Sequence, residues 1–184
     1  MYTIRPYQEK DREAVEGICV GTSENFSRNP LMREALLQVF CHYYIEKEPG
    51  NCFIAADEDD RAVGYILCAE NFTEWEQLFQ KEYIEPSDNP ATKMMGPGTI
   101  EGLRSFAADY PAHLHIDLNE DCQRQGLGTR LMDALLAHLK EKGVSGVMLC
   151  VAADNEKGKG FYQKYGFIEL ERTEQEIAMG RKLL

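Results

Sequence analysis

Gln123, Arg124, Gln125, Gly126, Leu127, Gly128 and Thr129 form the stretch with the most specific chemistry in this chain. Two glycines one residue apart let a ligand reach the backbone with no Cβ in the way. The residues that follow are apolar at helical spacing, so the loop opens a helix. Its first N–H groups lack internal partners, and its dipole places about +0.5 charge there. Such a helix mouth can hold a pyrophosphate without a metal ion, and Arg124 and Arg130 add positive charge around it. The pattern is not a P-loop, because no Lys-Ser/Thr pair follows. It is not the dinucleotide fingerprint either, because Leu131 stands where a third glycine is required. A second group of candidates precedes it. His113, His115 and Asp117 alternate with Leu114, Ile116 and Leu118, so two imidazoles and a carboxylate share one face of a strand. Cys122 borders the loop with no histidine at a recognisable partner spacing, which argues against a cysteine nucleophile.

The elements that must position these groups can be read from periodicity. Residues 2–5 predict a strand ended by Pro6, and 8–20 a helix, followed by a Ser/Asn/Gly-rich loop over 21–30. Leu36, Val39, Phe40, Tyr43 and Tyr44 recur at helical spacing within 31–47, and Pro49-Gly50 stops that helix. Residues 52–56 and 62–69 predict a hairpin. Within 71–110, a helix is expected over 74–83, a Pro/Asn/Gly-rich loop over 86–98 and a short helix over 100–107. This excursion is an insertion that serves as a lid, as a pocket wall or as surface elaboration. Residues 113–118 then predict a strand. Residues 126–142 predict a strong amphipathic helix, with Leu127, Leu131, Leu135 and Leu139 on one face and Gly143 as a left-handed cap. A buried-type strand over 146–152, a helix over 155–165 closed by Gly166 and a strand pair over 167–171 and 176–183 complete the chain. The order predicts an α/β (α+β) fold, a mixed central sheet with helices on both faces.

Composition narrows the function classes. The 184 residues suit one domain, 1–184. Twenty Lys+Arg against 31 Asp+Glu leave a formal net charge of −11. That balance disfavours non-specific binding to nucleic acid or to anionic membranes. No window approaches ~18 consecutive apolar residues, and the polar first ten residues show no secretory signal. Cys19, Cys41, Cys52, Cys68, Cys122 and Cys150 form no C-x-x-C pair and sit mostly in apolar runs. They read as reduced core residues of a cytoplasmic protein, with neither disulfides nor a metal site.

The Q-x-x-G-x-G arrangement of Gln123, Gly126 and Gly128 at a strand-to-helix junction resembles the acyl-CoA loop of the GNAT superfamily of N-acetyltransferases. Asn155, Phe161-Tyr162 and Gly166-Phe167 resemble its N-x-x-[AG]-x-x-F-Y-x-x-x-G-F signature, with Gly158 where alanine is common. Ile4-Arg5-Pro6, the helix after it and the hairpin fit the same order of elements, so the resemblance covers nearly the whole chain. From Tyr110 through Phe167 the chain further resembles the acetyltransferase-like domain attached to some O-GlcNAcases and its free-standing bacterial relatives.

The resemblance implies a GNAT-like sheet with a splayed central strand pair, acetyl-CoA as cosubstrate and an amine-bearing acceptor. By the same token, the main chain of residues 123–129 holds the CoA pyrophosphate. The backbone at Ile116 and Leu118 takes the acetyl carbonyl and the pantetheine arm, while Asn155 and Phe161 flank the ligand. Tyr162 protonates the departing thiolate, for which a phenol is a sufficient acid. Lys157 and Lys159 are candidates for the adenosine 3′-phosphate. The strand lacks the glutamate that family members often use as a base, which leaves His115 or Asp117, or water relays to Glu101, Asp109 or Asp154. The implied reaction is N-acetylation of a primary amine. The alternative is a non-catalytic acyl-CoA-binding sensor or scaffold, which the missing glutamate favours. The acceptor pocket is expected from residues 23–44 and 75–110, where Tyr43, Tyr44, Trp75 and Tyr83 line it or pack beneath it. A homodimer is compatible with the sequence.

Overall fold

A computed structural model describes residues 1–21 and 28–184. The loop expected over 21–30 and the start of the expected pocket segment therefore lie partly outside the described residues. Seven strands form one mixed sheet in the order β1-β2-β3-β4-β5-β7-β6: β1 (Thr3–Pro6), β2 (Phe53–Ala56), β3 (Ala62–Ala69), β4 (Ala112–Leu118), β5 (Gly146–Ala152), β6 (Ile168–Arg172) and β7 (Glu176–Lys182). All neighbours are antiparallel except β4 and β5.

Helices cover both faces. On one face lie α1 (Arg12–Gly21), α2 (Pro30–Leu37), α3 (Tyr43–Lys47), α4 (Phe72–Phe79) and α5 (Pro90–Arg104), over a core that includes Tyr44, Tyr65, Trp75 and Phe79. On the other lie α6 (Leu127–Glu141) and α7 (Glu156–Lys164). The leucine stripe of α6, Leu127, Leu131, Leu135 and Leu139, is buried there as the sequence predicts. A π-helical turn (Gln38–His42) joins α2 to α3, and a second one (Gln80–Ile84) extends α4. Wider helical turns of this kind shift the residues that follow. Here Phe40 and Tyr44 both reach one face of β4, with ring centroids 5.3 and 5.1 Å from that of His115.

One expected loop is a helix. Residues 90–98 belong to α5, which also takes in most of the separate helix expected over 100–107. Asn89 caps it through a bond from Ala91 N–H at 2.9 Å, and Pro90 occupies its first position, where a missing N–H costs nothing. Tertiary packing outweighs Pro97 and the glycines. A Cβ on Gly96 would lie 2.7 Å from Ile84, while Ile100 and Leu103 are buried. Residues 71–110 thus supply core side chains, notably Phe72, Trp75 and Phe79.

The start of the chain is pinned by an ion pair. Arg5 binds both carboxylate oxygens of Asp11 at 2.7 and 2.8 Å, and Asp11 is 3% exposed. Arg5 also holds Asp60 Oδ1 at 2.7 Å, so losing Asp11 removes its buried partner without stranding the charge. Asp11→Ala should therefore lower stability by about 2 kcal/mol, read from the urea midpoint at unchanged m-value.

Candidate functional site

The sheet opens at its centre. β4 and β5 pair only at Ala112–Val147 and His113–Met148, and beyond these residues the strands part. The main chain of β4 alternates between its neighbours. Asn119 N–H donates to Val63 O on the β3 side at 2.9 Å, and Pro111 O accepts from Phe72 N–H just beyond β3 at 2.7 Å. Odd-numbered residues of β4 therefore direct their peptide groups to β3 and even-numbered ones to the β5 side, where the pairing at His113–Met148 uses the Leu114 N–H and the peptide groups of Ile116 and Leu118 face the opening. The unused groups of Ile116 and Leu118 form a short free edge inside the sheet.

A cavity of about 340 Å³ occupies the opening. Leu114, His115, Ile116 and Asp117 of β4 line it, opposite Cys150, Val151 and Ala152 of β5. Asn155 and Tyr162 close one end, and Cys19, Leu36 and Phe40 form the helical wall. The structure thus brings His115, Asp117, Asn155 and Tyr162 to one cavity. Glu101, Asp109 and Asp154 do not line it. Glu101 is paired with Arg104, and Asp109 with Lys182. Tyr43, Tyr44 and Trp75 are buried beneath the cavity wall rather than lining it, and Tyr83 packs against the same core.

Asp117 stands directly opposite Tyr65, whose hydroxyl donates to Oδ2 at 2.7 Å. His115 shares the hydroxyl of Tyr44 with His113. Burial pushes the His115 pKa down to about 4 and that of His113 well below the usual histidine range. Both rings are neutral at pH 7, and acid should therefore destabilise the fold. Below about pH 6.5 the unfolded chain binds protons that the folded imidazoles refuse, so stability falls as the pH drops from 6.5 towards 4. At pH 5 the loss from His115 alone is on the order of 2 kcal/mol, measurable as a lower urea midpoint than at pH 7.

Tyr162 departs from expectation in acidity. Burial and the carboxylate of Asp117 both push its pKa up. A phenol this weakly acidic holds its proton and offers it as a hydrogen bond, and full transfer to a thiolate of pKa ~8.5 is uphill. Asn155 caps α7, its Oδ1 accepting from Gly158 N–H at 2.8 Å. A Cβ on Gly158 would lie 2.8 Å from Nδ2 of Asn155, so this glycine makes room for the cap. Phe161 does not line the cavity. It packs α7 against the loop, 3.6 Å from where a Cβ on Gly128 would stand.

The loop is built as a backbone cradle. Arg124 and Gly126 adopt positive φ, 62° and 78°, and Gly126 is the N-cap of α6 without a side chain to satisfy the helix N–H groups. The first bond back to it comes from Arg130 N–H, which leaves those of Leu127, Gly128 and Thr129 unpaired within the helix. Leu127 anchors the loop in the core, while Arg124, Gln125, Gly126 and Thr129 are exposed. The side chain of Gln123 accepts from Lys157 at 2.6 Å, and that of Gln125 donates to Asp121 O. Arg130 donates to Tyr2 O and Lys159 pairs with Glu156.

Cys19 and Tyr65 escaped sequence reasoning as site residues, whereas Leu36, Phe40 and Tyr44 fall within the segment 23–44 expected to build the acceptor pocket. Alternation or helical spacing showed that Cys19 and Tyr65 were interior, but not that the opening in the sheet lies beside them.

Comparison with known proteins agrees with this arrangement. The acetyltransferase (GNAT) family profile matches residues 20–167. The rat protein O-GlcNAcase is 26% identical over the whole of this chain, which spans only 22% of that protein's length. The crystal structure of SsHAT superposes with a TM-score of 0.87 at 29% identity, covering 100% of this chain and 98% of the other. The PaiA N-acetyltransferase of Thermoplasma acidophilum, solved with coenzyme A, shares the fold at a TM-score of 0.63 and 15% identity, each chain being 99% covered.

Proposed function

The chain belongs to the acetyltransferase (GNAT) family, and from that premise we propose that it transfers the acetyl group of acetyl-CoA to a primary amine by direct attack. One observation carries this reading. The unpaired main-chain edge of Ile116 and Leu118 faces a cavity that also holds Asp117, Asn155 and Tyr162. An extended pantetheine arm suits such an edge, as an added strand would. The cradle of residues 123–129 suits the pyrophosphate.

In this arrangement a β4 N–H, that of Ile116 or Leu118, receives the thioester oxygen and stabilises the negative charge that develops there. The amine nitrogen bonds to the carbonyl carbon and the carbon–sulfur bond breaks. Asp117 or His115, both on the cavity wall, takes the proton that the amine must lose. Tyr162 donates a hydrogen bond to the thiolate as it departs. Holding the reactants together supplies much of the acceleration. No disulfide joins the cysteines of the described residues, which suits a reducing compartment such as the cytoplasm. No helix of the described residues is long and apolar enough to cross a membrane.

Calorimetry with acetyl-CoA, followed by thiol release with small amines, aminosugars, peptides and polyamines, tests the reading. Binding together with thiol release from at least one amine supports it. Binding with no turnover across the panel selects the sensor or scaffold role, and no binding at millimolar acetyl-CoA overturns both.

A further inference from the structure

Tyr44 stands between two imidazoles. Its Oη lies 2.9 Å from Nε2 of His113 and 3.0 Å from Nε2 of His115. A hydroxyl has one proton, so Tyr44 can donate to one ring and must accept from the other. Desolvation keeps both rings neutral at pH 7, and each therefore carries a single N–H. Two orders satisfy all three groups. Either His113 donates to Tyr44 and Tyr44 to His115, or the whole chain runs the other way.

The surroundings of His113 choose between them. Its Nδ1 is sealed in the core without a hydrogen-bond partner. If the chain ran from His115 to His113, that nitrogen would carry the proton and become a buried donor with nothing to receive it. In the opposite order it carries only a lone pair. Buried N–H groups without partners are rarer in proteins than under-satisfied acceptors. The second observation is the ring packed edge-on against His113. Trp75 lies 4.4 Å away between centroids at 67°, and its Nε1 is the other sealed side-chain polar atom without a partner among the described residues. Indole has a donor and no lone-pair acceptor, so Trp75 suits a neighbour whose remaining nitrogen is bare.

We infer that the hydrogen bonds run from His113 through Tyr44 to His115, which fixes His115 as the tautomer protonated at Nδ1. Its Nε2 lone pair is then filled by the Tyr44 hydroxyl, and no lone pair remains to accept a proton. What this means for chemistry rests on the transferase reading. His115 is a hydrogen-bond donor on the cavity wall, suited to an oxygen of the bound reactants. Asp117, two residues along the same strand face, is the group left to take the amine proton. Tyr44 and His113 are positioning residues that act through His115.

Two-bond 1H–15N correlation spectra of uniformly 15N-labelled protein at pH 7, without acetyl-CoA, read the tautomers directly; His115→Gln assigns the ring signals. The expected spectrum places Nδ1 of His115 and Nε2 of His113 in the protonated range, and their partner nitrogens in the bare range. The reverse assignment, or protonated Nε2 on both rings, overturns the inference. In Tyr44→Phe the hydroxyl is gone, and Nε2 of His115 should move toward the protonated range. A role in packing alone would leave those nitrogen shifts unmoved, and that result would overturn the part given to Tyr44. Should this variant fail to fold, the wild-type spectrum still decides. The measurement needs neither cosubstrate nor turnover. A protein that fails to bind acetyl-CoA removes the transferase reading and leaves the tautomers as found, and the wrong tautomers leave that reading intact.

Discussion

Tyr162→Phe should lower kcat with a responsive amine by about 10²- to 10³-fold, the usual cost of removing one donor aimed at developing charge. Acetyl-CoA affinity should change by no more than about fivefold, because a neutral hydroxyl contributes only about 0.5–1 kcal/mol to a ground-state contact. The substitution keeps the ring, which packs against Phe161 and Phe167 at centroid distances of 5.4 and 5.8 Å, so α7 stays in place. The hydroxyl sits in the cavity with a raised pKa and is fully protonated at neutral pH. Its value lies in holding the thiolate as the carbon–sulfur bond breaks. Stopped-flow thiol release alongside calorimetry separates the two quantities. A variant with unchanged kcat would remove Tyr162 from the reaction, and one that loses affinity in proportion to kcat would make it a binding residue.

Gly126→Val should weaken acetyl-CoA binding by about 10²-fold, equivalent to losing two main-chain hydrogen bonds to a charged group at about 1.5 kcal/mol each. Gly126 has φ of 78°, a conformation that a β-branched residue adopts only under strain. No protein atom lies within 4 Å of where its Cβ would stand. The cost therefore falls on the shape of the loop rather than on the core. Leu127 remains buried against α6's neighbours, and the melting temperature should drop by only about 5 °C, as expected for 1–2 kcal/mol of local strain. Undiminished affinity in a folded variant would show that the pyrophosphate binds elsewhere.

The parts of this molecule that local chemistry controls were legible in the sequence. The glycine loop, the leucine stripe of α6 and the cap at Asn155 each depend on residues within a few positions of one another. The alternation of β4 likewise placed His113, His115 and Asp117 on one face before any contact was known. The helix α5 was misread because Pro97 and its flanking glycines resemble a loop, although Asn89-Pro90 is also a helix start. Only the fit of Gly96 against Ile84 and the burial of Ile100 and Leu103 settle that segment. The partners of the site lay further out of reach. Tyr44 meets His113 across 69 residues of sequence, and Tyr65 meets Asp117 across 52. The second depends on strand register, and the first also on a π-helical turn that leaves no mark in residue type.

A sheet that is zipped at one end and parted at the other has a seam. Strands β1 to β4 form one leaf and β5 to β7 the other, and the two are paired only at Ala112–Val147 and His113–Met148. Amide protons of Ile116 and Leu118 should accordingly exchange with solvent far faster than those of His115 and Asp117, which β3 protects from the other side. A cosubstrate lying along the seam would act as the missing thread. Its arrival should slow exchange at Ile116 and Leu118 and leave the odd-numbered residues as they were.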